Sequence, residues 1–238
     1  MNFLITGGAS GLGLAITKLL ATQHPADKIY FTFFSSEENK IQLETEHLNT
    51  HGIQCDFLKQ PDIDALVDFI KKNDIDILIN NAVTGLAKNY AHKLEAAEVL
   101  ESFKADVLST VQITNSFIGC ARKKRSGKII TILSAALEGL PPTGWSVYTA
   151  NKNYLLSTHK SWAAENKNFG ITSNCVSPGF MATPLNNSED ERVVENMISQ
   201  HPLKKLLTVE EVADTVLYLC EASQQLNGQN IVINAGQV

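Results

Sequence analysis

The stretch Phe3-Leu4-Ile5-Thr6-Gly7-Gly8-Ala9-Ser10-Gly11-Leu12-Gly13 decides the fold. An apolar run of strand length ends at Thr6, glycines follow at 7, 11 and 13, and a helical pattern over Leu12–Ala21 starts inside the motif. Glycines there let the backbone turn tightly and come close to a pyrophosphate, and the helix N-terminus beyond offers free N–H groups and positive potential. Without a ligand the same spacing is a plain glycine-rich turn. Its position between the first strand and the first helix favours dinucleotide binding. Gly7, Ser10, Gly11, Leu12 and Gly13 are the candidate residues of this phosphate end.

Outward from this motif, short apolar runs alternate with longer amphipathic stretches. Strands are expected at Phe3–Thr6, Ile29–Phe34, Gln54–Phe57, Ile75–Asn80, Lys128–Leu133, Thr172–Val176 and Asn230–Ile233. Helical patterns fill the gaps, for example Leu12–Ala21, Ile63–Lys72, Tyr148–Glu165 and Val209–Leu219. The strands are nearly continuously apolar, as a parallel sheet covered on both faces requires. The expected fold is α/β: a Rossmann-type doubly wound sheet of about seven parallel strands with helices on both faces. No linker or composition break divides the chain, so one domain over residues 1–238 is expected.

Composition narrows the function classes. Of 238 residues, 44% are apolar and 19% charged, with a net charge of −5. That balance gives no electrostatic reason to expect nucleic acid or an anionic membrane as partner. The basic run Arg122-Lys123-Lys124-Arg125 reads as a solvated helix C-terminus. Cys55, Cys120, Cys175 and Cys220 are far apart and form no C-x-x-C pair, which suits reduced thiols in a cytoplasmic protein. The six histidines show no ligand spacing, so no metal is expected. The first strand begins just after Met1, leaving no room for a signal peptide, and no apolar run is long enough to span a bilayer.

An NAD site usually ends its second strand in Asp or Glu. Here that strand ends Thr32-Phe33-Phe34-Ser35-Ser36, with no acid to repel a 2′-phosphate, so NADP(H) is favoured over NAD(H). Phe34 and Ser35 are candidate cofactor contacts, with Ser36 and, one turn on, Lys40 as further donors. The alternative for Ser35 is a capping box with Glu38. Asp56 is placed to accept from the adenine amino group, or else is an ordinary loop acid.

At the other end, Tyr148 and Lys152 open a helical pattern four residues apart and so share a face. A free phenol titrates near 10 and is a poor acid–base at neutrality. An ammonium beside it, with a positive nicotinamide in a dry pocket, would lower that value by about three units, equivalent to roughly 4 kcal/mol. Ser134 closes the strand Lys128–Leu133, at the carboxyl end where doubly wound folds place their ligands.

Taken together, TGGASGLG (Thr6–Gly13), NNA (Asn80–Ala82), Ser134, YTANK (Tyr148–Lys152), PGF with Thr183 after it, and EEVA (Glu210–Ala213) resemble the short-chain dehydrogenase/reductases over essentially the whole chain. The resemblance implies that Tyr148 transfers the proton, Ser134 orients the carbonyl, and Lys152 holds the nicotinamide ribose and lowers the tyrosine pKa. It implies that Asn80 and Ala82 line the adenosine side, and that Pro178, Gly179 and Thr183 fix the carboxamide. Three positions depart from the pattern: Val83 replaces a glycine, Ala235 replaces another, and Asp106 stands where an asparagine usually supports the proton relay. Asp106 is therefore a candidate relay residue whose charge competes for Lys152.

Within the family the chain is most similar to β-ketoacyl-acyl-carrier-protein reductases. Arg125 matches one of their carrier-facing basic positions, whereas Phe169 stands at the other. The substrate lid is expected over about 181–202, and its polar segment Asn186-Asn187-Ser188-Glu189-Asp190 offers no long apolar slot. An acyl-carrier-bound thioester and a small keto compound both fit. The competing function is a dinucleotide-binding sensor or scaffold without turnover. Surplus apolar residues on the Lys104–Ile118 and Tyr148–Glu165 helices, among them Tyr154, Leu155, Leu156, Trp162 and Ala163, suggest a homodimer or homotetramer.

Overall fold

A computed structural model describes residues 1–85, 88–186 and 191–237. Among the described residues, seven strands form one parallel sheet: β1 (Asn2–Ile5), β2 (Lys28–Phe33), β3 (Thr50–Gln54), β4 (Ile77–Asn80), β5 (Gly127–Ile132), β6 (Ile171–Pro178) and β7 (Asn230–Ile233). Their order across the sheet is β3-β2-β1-β4-β5-β6-β7. The direction of winding reverses between β1 and β4, which opens a crevice at the carboxyl ends of those strands.

Side-chain alternation explains why the strands are apolar throughout. Phe3 and Ile5 of β1, with Ile77 and Ile79 of β4, pack under α1 (Gly11–Gln23) and α8 (Val209–Glu221). Leu4 and Leu78, one residue out of phase, pack on the opposite face with α3 (Gln60–Lys72), α5 (Ser109–Lys124) and α6 (Ser146–Asn166). Each face therefore has its own core. The remaining helices are α2 (Glu37–Glu46), α4 (Ala96–Phe103) and α7 (Glu191–Gln200). No helix among the described residues is long and apolar enough to cross a membrane.

Two expected elements shift. β3 covers Thr50-His51-Gly52-Ile53-Gln54 rather than Gln54–Phe57. It is an edge strand that pairs only with β2, from Ile29 opposite Thr50 to Phe33 opposite Gln54, so it needs little apolar character. The apolar Phe57 belongs instead to the loop beyond it. The Lys104–Ile118 helix is not continuous either: α4 ends at Phe103, a π-helical turn spans Lys104–Leu108, and α5 begins at Ser109. Such a turn leaves no trace in the apolar period, and here it carries the buried Asp106.

Candidate active site

The glycine turn lies at the head of the crevice. Gly7 adopts φ 65°, a conformation that side chains disfavour. A Cβ added at Gly13 would overlap the Gly7 carbonyl oxygen, so α1 reaches its close approach to the turn only with glycine there. Hydroxyl and amide side chains lock the turn. Gly7 N donates to Thr32 Oγ1 at 2.8 Å, and Asn81 Nδ2 donates to the carbonyls of Thr6 (3.0 Å) and Gly7 (3.1 Å). Asn39 Nδ2 holds the Ala9 carbonyl at 2.8 Å. Ser10 is the N-cap of α1 but makes no side-chain cap bond, so its hydroxyl leaves the first-turn N–H groups to a ligand.

A single cavity of about 1090 Å³ runs from this turn across the crevice. Gly7, Ser10, Gly11, Leu12, Gly13, Phe34, Ser35, Asp56 and Ala82 line it, as do Ser134, Tyr148, Lys152, Pro178, Gly179 and Thr183. The spacious glycine cradle, the uncapped helix start and the polar rim at Ser35 and Asp56 fit a dinucleotide. Asp56 Oδ1 accepts from Leu58 N at 3.0 Å, and its Oδ2 lies 3.4 Å from Lys59 Nζ. Ser36, not Ser35, is the N-cap of α2, and it makes no side-chain cap bond, so the Ser35–Glu38 capping box that was the alternative to cofactor contact does not form. Lys40 is tied to Glu44 (3.0 Å) and Glu37 (3.7 Å) on its own helix.

Two candidates lie away from the cavity. Asn80 turns inward: its Nδ2 donates to Thr114 Oγ1 at 2.9 Å, tying β4 to α5. The residue that serves the cavity is its neighbour Asn81, and the Asn80-Asn81 pair was the only sequence signal for it. Asp106 is 6% exposed, and its Oδ1 accepts from Thr84 N and Thr84 Oγ1, each at 2.8 Å. Its Oδ2 accepts from Ser102 Oγ at 3.4 Å, and Ser102 in turn accepts from Asn151 Nδ2 at 2.9 Å. Asp106 thus fastens the loop after β4 and acts on the site through its charge.

At the catalytic end, Ser134 follows β5 and accepts from Ala136 N at 3.2 Å. Tyr148 lies in the first turn of α6 and hydrogen-bonds Ser134. Lys152, one turn on, donates to the Ile132 carbonyl at 2.8 Å, with its Nζ 5.7 Å from the Tyr148 ring centroid. Burial opposes the charged form of both groups. The Tyr148 pKa is raised by burial and by the Asp106 charge, with the Ser134 hydrogen bond acting against them. The Lys152 pKa is pulled down to about 8 by burial, with Asp106 opposing. Without a bound dinucleotide, burial and the Asp106 charge thus hold the phenol pKa up, and the lowering expected from Lys152 together with a positive nicotinamide belongs to the loaded site.

Arg125 lies in a left-handed cap at the end of α5, before β5, whereas Ser134 lies beyond the other end of that strand. Arg125 is thus at the opposite end of the sheet from the catalytic groups of this chain. There it donates to the Asn168 carbonyl at 2.8 Å, and both Arg122 and Arg125 lie over the Phe169 ring.

A family model described as enoyl-(acyl carrier protein) reductase matches residues 7–237. A 3-oxoacyl-(acyl-carrier-protein) reductase of Buchnera aphidicola subsp. Schizaphis graminum is 32% identical over 240 residues, covering 98% of this chain and 95% of that protein. The mitochondrial borneol dehydrogenase of Lavandula x intermedia is 29% identical, covering 98% and 88%. A solved short chain dehydrogenase/reductase family protein superposes with a TM-score of 0.88 at 26% identity, covering 99% and 96%. With a family match over nearly its whole length, and with Ser134, Tyr148 and Lys152 on one cavity, the chain belongs to the short-chain dehydrogenase/reductase family and is an NAD(P)-dependent oxidoreductase.

Proposed function

We propose that this protein reduces a ketone to an alcohol, with NADP(H) favoured over NAD(H), in one domain spanning residues 1–238. The observation that carries the reading is the convergence of Ser134, Tyr148 and Lys152 at one end of a cavity whose other end is a glycine turn and a helix N-terminus. The bound dinucleotide supplies the hydride. Ser134 orients the substrate oxygen. Tyr148, kept protonated by burial, donates its proton to that oxygen as charge develops on it. Lys152, steadied by the Ile132 carbonyl, then stabilises the phenolate that remains. Asp106 is a positioning residue that fastens the Thr84 loop and biases both ionisations.

Phe34, Ser35 and Asp56 take the adenosine, Ala82 lies beside it, and Pro178, Gly179 and Thr183 take the carboxamide. Residues 181–202 act as the lid, of which Asn187-Ser188-Glu189-Asp190 lie outside the described residues. The relatives named above are a 3-oxoacyl-(acyl-carrier-protein) reductase and a borneol dehydrogenase, names that support carbonyl–alcohol chemistry for this site. The complete triad disfavours a sensor without turnover. Val99, Leu100, Leu108 and Tyr154 are exposed apolar residues of α4, the π turn and α6, and they support a homodimer or homotetramer. Of the residues whose sequence pattern suggests that role, Leu155, Trp162 and Ala163 are buried in this subunit. Free cysteines suit a cytoplasmic location.

The test is NADPH oxidation with a ketone panel. Tyr148→Phe should lower kcat by about 10³-fold, within the range for a lost general acid, while NADPH binding is kept. A rate unaffected by that substitution would end the assignment. Paired dissociation constants should favour NADPH over NADH by roughly tenfold, the value of one or two hydrogen bonds to a phosphate.

A further inference from the structure

The triad occupies one side of the substrate end, and large apolar side chains make up much of the rest, beside the polar Thr84, Glu138, Asn234 and Gln237. Val83, Leu140, Pro142, Trp145, Phe180 and Met197 line it. Trp145 is the N-cap of α6, three residues before Tyr148, and its ring meets the phenol edge-on at 5.6 Å and 83°. Leu140 is 98% exposed, a large aliphatic group uncovered at the rim. Among the described residues lining this side, the one carboxylate is Glu138, exposed just after the turn Ala135–Leu137. Among the described residues lining the cavity, Lys152 is the only Lys, Arg or His, and it is buried against Ile132.

A thioester on coenzyme A or an acyl carrier brings phosphate anions to the mouth, and the carrier adds an acidic surface. Recognising either takes cations at the rim, as guanidinium or ammonium groups. Among the described residues that line it, this rim carries Glu138 instead, and Arg122 and Arg125 are at the other end of the sheet. An indole face and an exposed leucine suit a flat or compact apolar ring, which gains contact area at little conformational cost.

Resting on the ketone-reducing assignment above, we infer that the substrate is a free, uncharged, cyclic or aryl ketone, and that Trp145 and Glu138 set this preference. Trp145 supplies the packing surface, and Glu138 rejects anionic esters.

The experiment compares kcat/KM, with saturating NADPH, for a panel of uncharged bicyclic and aryl ketones headed by β-tetralone against acetoacetyl-coenzyme A. The ring ketones should lead by at least about tenfold. Trp145→Ala should shift the ratio towards the thioester by about 30-fold, in line with the selectivity of apolar pockets, while Trp145→Phe keeps most of the preference. Glu138→Lys should raise kcat/KM for acetoacetyl-coenzyme A about fivefold at low salt, with the gain lost near 0.5 M salt, roughly where surface charges are screened. Preference for the thioester, or a ratio unmoved by Trp145→Ala in a variant that still binds NADPH, would overturn the inference. Turnover of the thioester alone sinks only this specificity. Turnover of nothing, with NADPH bound, sinks the ketone-reducing assignment as well.

Discussion

The two ends of the cavity are built on opposite principles. The glycine end is defined by missing atoms: no Cβ at Gly7 or Gly13, no cap bond from Ser10, and neutral hydroxyl and amide bonds from Thr32, Asn39 and Asn81 locking the loop. The catalytic end is defined by an ammonium and a phenol whose charged forms burial disfavours. Lys152 is pulled to about 8, Tyr148 is pushed up, and Asp106 lies buried nearby. One end holds a ligand through backbone geometry; the other holds a proton through electrostatics. Damage at the first should therefore appear in affinity and stability. Damage at the second should appear in rate and its pH dependence.

The strongest way to break this contrast is Gly13→Ala. The added methyl overlaps the Gly7 carbonyl oxygen, so α1 must move off the turn. Stability should fall by about 1–3 kcal/mol, as for overpacking elsewhere. NADPH affinity should fall by about 30-fold, since about 2 kcal/mol of backbone hydrogen bonding is misaligned. Thermal unfolding and titration calorimetry measure both. A dissociation constant within twofold of the parent would show that the turn is not the anchor.

This contrast also explains what could be read from the sequence. The glycine end was legible because its determinants are spacings: glycines between an apolar strand and an amphipathic helix allow few structures. The parallel sheet was legible because strands covered on both faces are apolar throughout, as in Phe3-Leu4-Ile5, where neighbours serve different cores. β3 was misplaced because an edge strand needs no such signal. At the catalytic end the spacing placed Tyr148 and Lys152 on one helical face, but burial, which sets their pKa values, is a tertiary property. Asn80 and Asn81 are alike in type, and only the pleat of β4 and the bend after it decide which one turns to the cavity. Trp145 and Glu138 lie in a turn with no periodic pattern. The π turn around Asp106 interrupts a helix that periodicity reads as continuous.

A gentler probe of the catalytic end is Asp106→Asn. An amide oxygen can still accept from Thr84 N and Oγ1, and its NH₂ can donate to Ser102, so the loop should keep its shape. The charge is what disappears. Asp106 raises the pKa of both Tyr148 and Lys152, so its removal lowers both. Ketone reduction requires a protonated Tyr148 and is lost as pH rises through the phenol pKa. The alkaline limb of the pH–rate profile should therefore move to lower pH. At neutral pH kcat should hold within about threefold or rise. A collapse of kcat with an unmoved alkaline limb would show that the carboxylate itself is required.

The smallest expected effect tests whether the adenosine end is as free of charge control as the comparison holds. Lys40 follows Ser35 and Ser36 by about one helical turn, where a 2′-phosphate could recruit it. Its ammonium is already held by Glu44 and Glu37, and the Glu44 hydrogen bond raises its pKa. Reaching a phosphate would mean giving up those partners in water, where an exposed ion pair gains little over the one it replaces. Lys40→Gln should therefore change the NADPH dissociation constant by less than about twofold. Ser35→Ala, which removes a hydroxyl lining the cavity, should weaken NADPH by about fivefold and NADH hardly at all, as expected for one lost hydrogen bond of ~1 kcal/mol. If Lys40→Gln proved the costlier change, with a salt-dependent loss specific to NADPH, the ammonium would be leaving its helix partners for the phosphate. The adenosine end would then work by charge, as the catalytic end does.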